Sequence, residues 1–161
     1  MALAEKRPHI QERSAVDTLD VDRRGRALAG SVLDMLDEAV ALTRSVRSQL
    51  CLLAEVRPAG SWERLAAISA LLRGLDAIGV EAWFSGYRLS GATLHLGSPG
   101  LTVVVPEISA AAVALDLRAL KSGSPGALRD AVRACDDALL RFTEAREACR
   151  SVATRLRWRC G

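Results

Sequence analysis

Aromatic side chains are scarce in this chain: three tryptophans, one tyrosine and two phenylalanines make up 4% of it. Its core must be built largely from aliphatic residues, so each aromatic is either a rare packing element or a surface feature. Histidine is scarcer still, with His9 and His95 the only two. A catalytic imidazole needs a nucleophile or a carboxylate held beside it, and neither histidine has a recognisable partner, so His95 reads as an ordinary strand residue. The four cysteines, Cys51, Cys135, Cys149 and Cys160, form no C-x-x-C pair and have no histidine at ligand spacing. That argues against a zinc site or a disulfide framework. Cys135 and Cys149 fall on one expected helix, about 21 Å apart at the helical rise and beyond disulfide reach. They read as small core residues in a reducing compartment.

Phosphate-binding glycine patterns are missing too. The glycines of Ser90-Gly91 and of Gly97-Ser98-Pro99-Gly100 suit turns, and no G-x-G-x-x-G or G-x-x-x-x-G-K-[ST] precedes a helix, so no nucleotide cofactor is expected. No apolar run approaches the roughly 20 residues that span a bilayer, and MALAEKRPHIQER has no apolar h-region. The expectation is a cytoplasmic protein with no membrane segment. Charge is also modest: 22 Lys plus Arg against 19 acidic residues leave a net charge of +3 and a pI near 8.9. That alone does not imply nucleic acid. Lys6 and Lys121 are the only lysines.

What is abundant is apolar periodicity, with 50% of residues hydrophobic and 25% charged, inside the globular range. The pattern predicts a mostly helical α+β fold: a mobile arm over 1–19, then one domain over 20–161. Asp20 or Asp22 caps a long helix over about 22–56, which Pro58 stops and Gly25 and Gly30 weaken. Along it Leu28, Val32, Met35, Ala39, Leu42, Val46 and Leu53 form a heptad-like seam containing Gln49, and Leu33, Leu36, Val40, Leu50 and Ala54 form a second row. Ser61 is the expected N-cap of a shorter helix bearing Trp62, Leu65, Ile68, Leu72 and Leu75 and ending at Gly79.

From Val80 the period becomes two, predicting a three-stranded antiparallel meander. A turn at Ser90-Gly91 sets Leu89 opposite Ala92, Tyr87 opposite Leu94 and Ser85 opposite Leu96. A loop over 97–100 sets Leu96 opposite Leu101, Leu94 opposite Val103 and Ala92 opposite Val105. One face then collects Trp83, Tyr87, Leu89, Leu94, Leu96, Leu101, Val103 and Val105, and the other Arg88, Thr93, His95 and Thr102. ISAAAVALDLRAL reads as one short apolar helix closed by Gly123, so the α-β-β-β-α centre occupies about 61–121. Ser124 and Pro125 are an N-cap and N1 pair for the last helix, about 125–157. Its seam of Leu128, Val132, Cys135, Leu139, Phe142, Cys149, Ala153 and Leu156 is interrupted by Arg146.

Two such terminal helices can lie antiparallel as a stalk. Arg23, Arg24 and Arg26 would then meet the C-terminal set that includes Arg150, Arg155, Arg157 and Arg159, with Trp158 beside them. Cations also favour a helix C-terminus through its dipole, so this patch has both a bland reading and a polyanion-binding one. Asp34, Asp37 and Glu38, and Asp136, Asp137 and Glu144, lack the Glu-x-x-His pattern of bundle metal sites and read as solvated faces. Trp62 and Trp83 read as core, and Trp158 as an exposed anchor.

No catalytic, cofactor-binding or metal constellation emerges. The expected function is therefore non-catalytic: an interaction or assembly protein, adaptor-like or chaperone-like. A homodimer would form through Leu33, Leu36, Val40 and Leu50, since the central segment looks too short to cover that row. The alternative is a DNA or RNA backbone binder acting through Arg23, Arg24, Arg26, Arg150, Arg157 and Trp158.

Overall fold

The computed structural model describes residues 9–55, 58–97 and 100–159, and the fold is mostly helical α+β. The first helix, α1, spans His9–Leu53 and so begins well before the expected cap at Asp20 or Asp22. No proline or glycine lies between His9 and Arg24, so nothing local stops the helix from extending toward Pro8. The expected arm is thus helical from residue 9, and residues 1–8 lie outside the described residues.

α1 ends at Leu53, ahead of Pro58 as expected, and Pro58 also starts the next helix: α2 spans Pro58–Glu81, with proline in the first helical position that tolerates its missing N–H. Ser61 consequently lies within the first turn instead of capping it. Gly79 does not end α2 either. A β-carbon there would overlap the Ile108 carbonyl oxygen, so this glycine allows a close crossing by another segment.

The meander is replaced by two separate hairpins. Strands β1 (Trp83–Phe84) and β2 (Tyr87–Arg88) pair antiparallel, and β3 (Thr93–His95) pairs with β4 (Thr102–Val104). Ser85 and Gly86 have φ of 48° and 86°, the positive values that a two-residue turn between twisted strands requires. The second Ser-Gly pair does further work: Ser90 is buried, and its Oγ accepts the Ile108 backbone N–H at 2.8 Å. The turn expected at Ser90-Gly91 does form, with the Ala92 N–H reaching the Leu89 carbonyl at 3.4 Å, but the pairing goes no further, and Tyr87 and Ser85 do not pair with β3. The register across β3 and β4 is as expected, with Leu94 opposite Val103. Backbone bonds from Leu96 N to Leu101 O (2.7 Å) and from Val105 N to Ala92 O (2.8 Å) continue it at both ends.

The apolar segment after Pro106 breaks in two. Ser109 caps α3 (Ala110–Val113), Ala114 turns left-handed at φ 58°, and Asp116 caps α4 (Leu117–Ser122), which Gly123 closes. Two competing caps within seven residues outweigh the alanine-rich helix propensity. The last helix, α5, spans Ala127–Arg159 and starts after a turn through Ser124 and Pro125, slightly later than expected.

α1 and α5 lie antiparallel within one chain. Arg47 Nε meets Asp136 Oδ1 at 2.5 Å, Arg146 Nη1 meets Asp37 Oδ1 at 3.2 Å, and Cys149 Sγ lies 3.5 Å from the Ala29 carbonyl. As numbers rise along one helix they fall along the other. The opposite side of α1 takes α2: Arg64 Nη1 donates to Gln49 Oε1 at 3.1 Å, and a β-carbon on Gly74 would sit 3.0 Å from Leu42 Cδ1. Phe142, Leu36, Leu50, Ile68, Leu75, Leu96 and Leu156 are among the largest fully buried side chains, so helices and the second hairpin share one core. No helix among the described residues is long and apolar enough to cross a membrane.

Candidate functional site

The row proposed for partner binding is interior. Leu36 and Leu50 are fully buried, Val40 is buried, and Leu33 is half-buried against the core. By helical spacing these four share the side of α1 that carries Asp37 and Arg47, the side facing α5. The heptad seam carries Met35 and Leu42 toward α2. The expectation of exposed surface took the centre for a compact head. It instead contributes α2, a 24-residue helix about 36 Å long at the helical rise, which lies along α1 and leaves both rows covered.

The arginine end does assemble, with one exception. Gly97, after β3, is packed so closely that a β-carbon there would meet Leu156 Cδ2 at 2.6 Å and Asp22 Oδ1 at 2.7 Å. Gly25 faces the same loop, its β-carbon position lying 2.8 Å from Gly97 N. The neighbours in sequence of these residues, Arg23, Arg24 and Arg26 on α1 and Arg155, Arg157 and Trp158 on α5, are therefore at one end and are exposed. Trp158 is 84% exposed. Arg150 lies further along and is engaged: its Nη1 meets Glu147 Oε1 at 2.9 Å, and its Nη2 stands 3.7 Å from Asp37 Oδ1. Arg146 occupies its seam position by reaching Asp37. Its Nε is buried without a hydrogen bond among the described residues, Glu147 Oε1 being 3.5 Å away.

Trp62 and Trp83, expected in the core, are 68% and 57% exposed. Trp62 carries the Lys121 ammonium 5.8 Å from its ring centroid, within cation–π range. Trp83 Nε1 donates to the Val80 carbonyl at 2.7 Å, which holds the indole over the end of α2. Val80 and Tyr87 are exposed as well, so the first hairpin and the helix end leading into it carry an apolar surface. Sequence reading missed it because a meander would have placed Trp83 and Tyr87 on a covered face. The clue was the first Ser-Gly dipeptide, which makes β1 and β2 too short to cover either face.

His95 is exposed, with Nδ1 3.2 Å from Thr102 Oγ1 across the strand pair. Cys135 and Cys149 are buried, and burial pushes both thiols up to about 11, aided at Cys135 by the nearby Asp136 carboxylate. Thiols held protonated in this way are poor nucleophiles. Cys51 is exposed, and Cys160 lies outside the described residues. Among the described residues, no three His, Cys, Asp or Glu side chains are grouped to hold a metal.

The two larger of the open clefts found beside α2 among the described residues lie on different sides of it. One of about 380 Å³ lies between Leu53, Ser61, α4 and the start of α5. The other, about 460 Å³, lies between α1 and the second half of α2, with Met35, Leu42 and Ile78 in its lining and Asp34, Glu38 and Glu81 around it. Those three carboxylates are exposed, and no ion pair or hydrogen bond engages them among the described residues. No protein-family model and no curated protein matches the chain.

Proposed function

We propose that this chain is a non-catalytic protein-interaction or assembly protein, adaptor-like or chaperone-like, whose partner-binding face is the apolar surface of Val80, Trp83 and Tyr87. The observation that carries this reading is that three large apolar side chains, 66%, 57% and 73% exposed, lie within one helix end and its hairpin. Scattered exposed apolar residues need no explanation, but grouped ones mark interaction sites, and Trp and Tyr dominate binding hot spots. A cytoplasmic location accords with this reading. Two-fold pairing through Leu33, Leu36, Val40 and Leu50 forms no part of it, because that row is spent inside the chain.

The test is affinity capture with the wild type and with Trp83→Ala plus Tyr87→Ala, followed by titration of each captured protein against both. A genuine partner loses at least about tenfold in affinity on the double substitution. If every partner binds both forms equally, the hairpin is not the binding face.

A second reading has its own observation. Arg23, Arg26, Arg155 and Arg157 have no ion-pair partner among the described residues and lie at the same end of the helix pair as Trp158, an arrangement suited to phosphates and stacking. RNA or DNA affinity that falls steeply with salt and weakens in Arg155→Ala plus Arg157→Ala would support it. No affinity at low salt would remove it.

A further inference from the structure

Among the described residues, two surfaces of opposite charge carry groups without ion-pair partners. One is the cleft between α1 and α2, about 460 Å³ in volume, with an apolar lining of Met35, Leu42 and Ile78 and free carboxylates at Asp34, Glu38 and Glu81. The other is the tip of α5, where Arg155 and Arg157 lack ion-pair partners among the described residues and Trp158 is 84% exposed. Asp37, the neighbouring carboxylate on α1, is already neutralised by Arg146 and Arg150. The cleft carboxylates are not.

Each surface has what the other lacks. An indole with flanking guanidinium groups fits a cleft that has an apolar lining and acidic rims, and the cleft volume lies in the range that accommodates such a group. Aromatic and arginine side chains are also the residues that most often anchor interfaces. The tip cannot reach the cleft of its own chain. Leu156 is held beside Asp22 through Gly97, whereas the cleft begins at Asp34, roughly a dozen residues and about 18 Å further along α1.

We propose that copies of this chain assemble head to tail, the tip bearing Arg155, Arg157 and Trp158 of one copy seated in the α1–α2 cleft of the next. The two halves of this contact are different surfaces, so it is heterologous and builds rings or filaments rather than a two-fold dimer. It uses neither Trp83 nor Tyr87, although Glu81 and Ala82 of the cleft adjoin Val80 and Trp83, so the substitutions at Trp83 and Tyr87 separate self-assembly from the partner capture proposed above. Opposed charges at the contact also make it salt-sensitive.

Sedimentation velocity from about 1 to about 100 µM, at about 0.1 M and about 1 M salt, tests this directly. Wild-type protein should grow in size with concentration at low salt and revert toward monomer at high salt. Glu38→Lys plus Glu81→Lys, and separately Arg155→Glu plus Arg157→Glu, should each remain monomeric with unchanged circular dichroism. An equimolar mixture of the two variants should assemble again, because the basic cleft of one meets the acidic tip of the other, and a misfolded variant could not give that rescue. Trp158→Ala should weaken association by about tenfold or more, whereas Trp83→Ala plus Tyr87→Ala should leave it intact. A concentration-independent wild-type monomer, association indifferent to either charge reversal, or a mixture that stays monomeric would overturn the proposal. So would a wild-type monomer whose tip binds an RNA oligonucleotide instead.

Discussion

The backbone carbonyl of Ile108 fills the space that a β-carbon on Gly79 would need. The crossing is locked from both sides: the Ile108 N–H donates to Ser90 Oγ at 2.8 Å, and Arg88 Nε donates to the Gly79 carbonyl at 3.1 Å. In a free helix alanine would be favoured over glycine by about 1 kcal/mol. Here that gain is outweighed by displaced backbone, so Gly79→Ala should destabilise by about 2 kcal/mol or more. Gly30 has nothing within 4 Å of its β-carbon position, and Gly30→Ala should stabilise by up to about 1 kcal/mol. Urea unfolding of the pair should give opposite signs, and equal signs would show that the crossing is looser than described.

Leu94 is buried opposite Val103, while its neighbour Thr93 is exposed opposite Val104. Replacing Leu94 by Ala should cost about 2 to 5 kcal/mol, and Thr93→Ala should stay within about 0.5 kcal/mol of wild type. Denaturant midpoints measure the difference. Similar losses at both positions would mean that the strand register is shifted by one.

Leu36 and Val40 offer a test of where the second row of α1 is spent. Both are buried, and an unpaired carboxylate in an apolar interior is strongly unfavourable. Leu36→Asp with Val40→Asp should therefore abolish cooperative unfolding. A folded, soluble double variant would instead point to a row that faces outward.

The buried thiols predict an alkaline limit on stability. Cys135 and Cys149 titrate near 11 in the folded chain and near 8.5 when unfolded. Between those values the unfolded chain has released protons that the folded chain retains, so stability falls as pH rises, by up to about 1.4 kcal/mol per pH unit for each thiol. The contribution is complete below about pH 8.5 and lost above about pH 11. Unfolding free energies across this window should fall less steeply in Cys149→Ala than in wild type, even though that variant starts less stable. Parallel slopes would show that Cys149 ionises freely in the folded state.

The sequence by itself determined what depends on neighbours along the chain. Heptad spacing announced both long helices, because i to i+3 and i+4 contacts are set within each helix. Alternation placed Leu94 opposite Val103, since a short loop leaves few registers open. Gly123 was legible as the end of a helix because a left-handed residue suits that position. The antiparallel order that gathers Arg23, Arg24 and Arg26 with Arg157 and Trp158 also followed from two helices joined by a returning segment, although Arg150 was assigned to that end without knowledge of Asp37 and Glu147.

Tertiary structure alone decided the rest. Ser85-Gly86 and Ser90-Gly91 are locally equivalent and both turn the chain, yet only the first joins two paired strands, while Ser90 also turns inward to satisfy Ile108. Gly79 looked like a helix end and is a crossing point, because what excludes a side chain there belongs to a residue 29 positions away in sequence. Whether Leu36 and Leu50 were surface or core depended on α5 taking their side of α1 while α2 took the other, and whether Trp83 was core or surface depended on which strands it paired with. Burial is a property of the assembled chain: periodicity shows which side chains share a face, and only packing between distant segments determines what covers it.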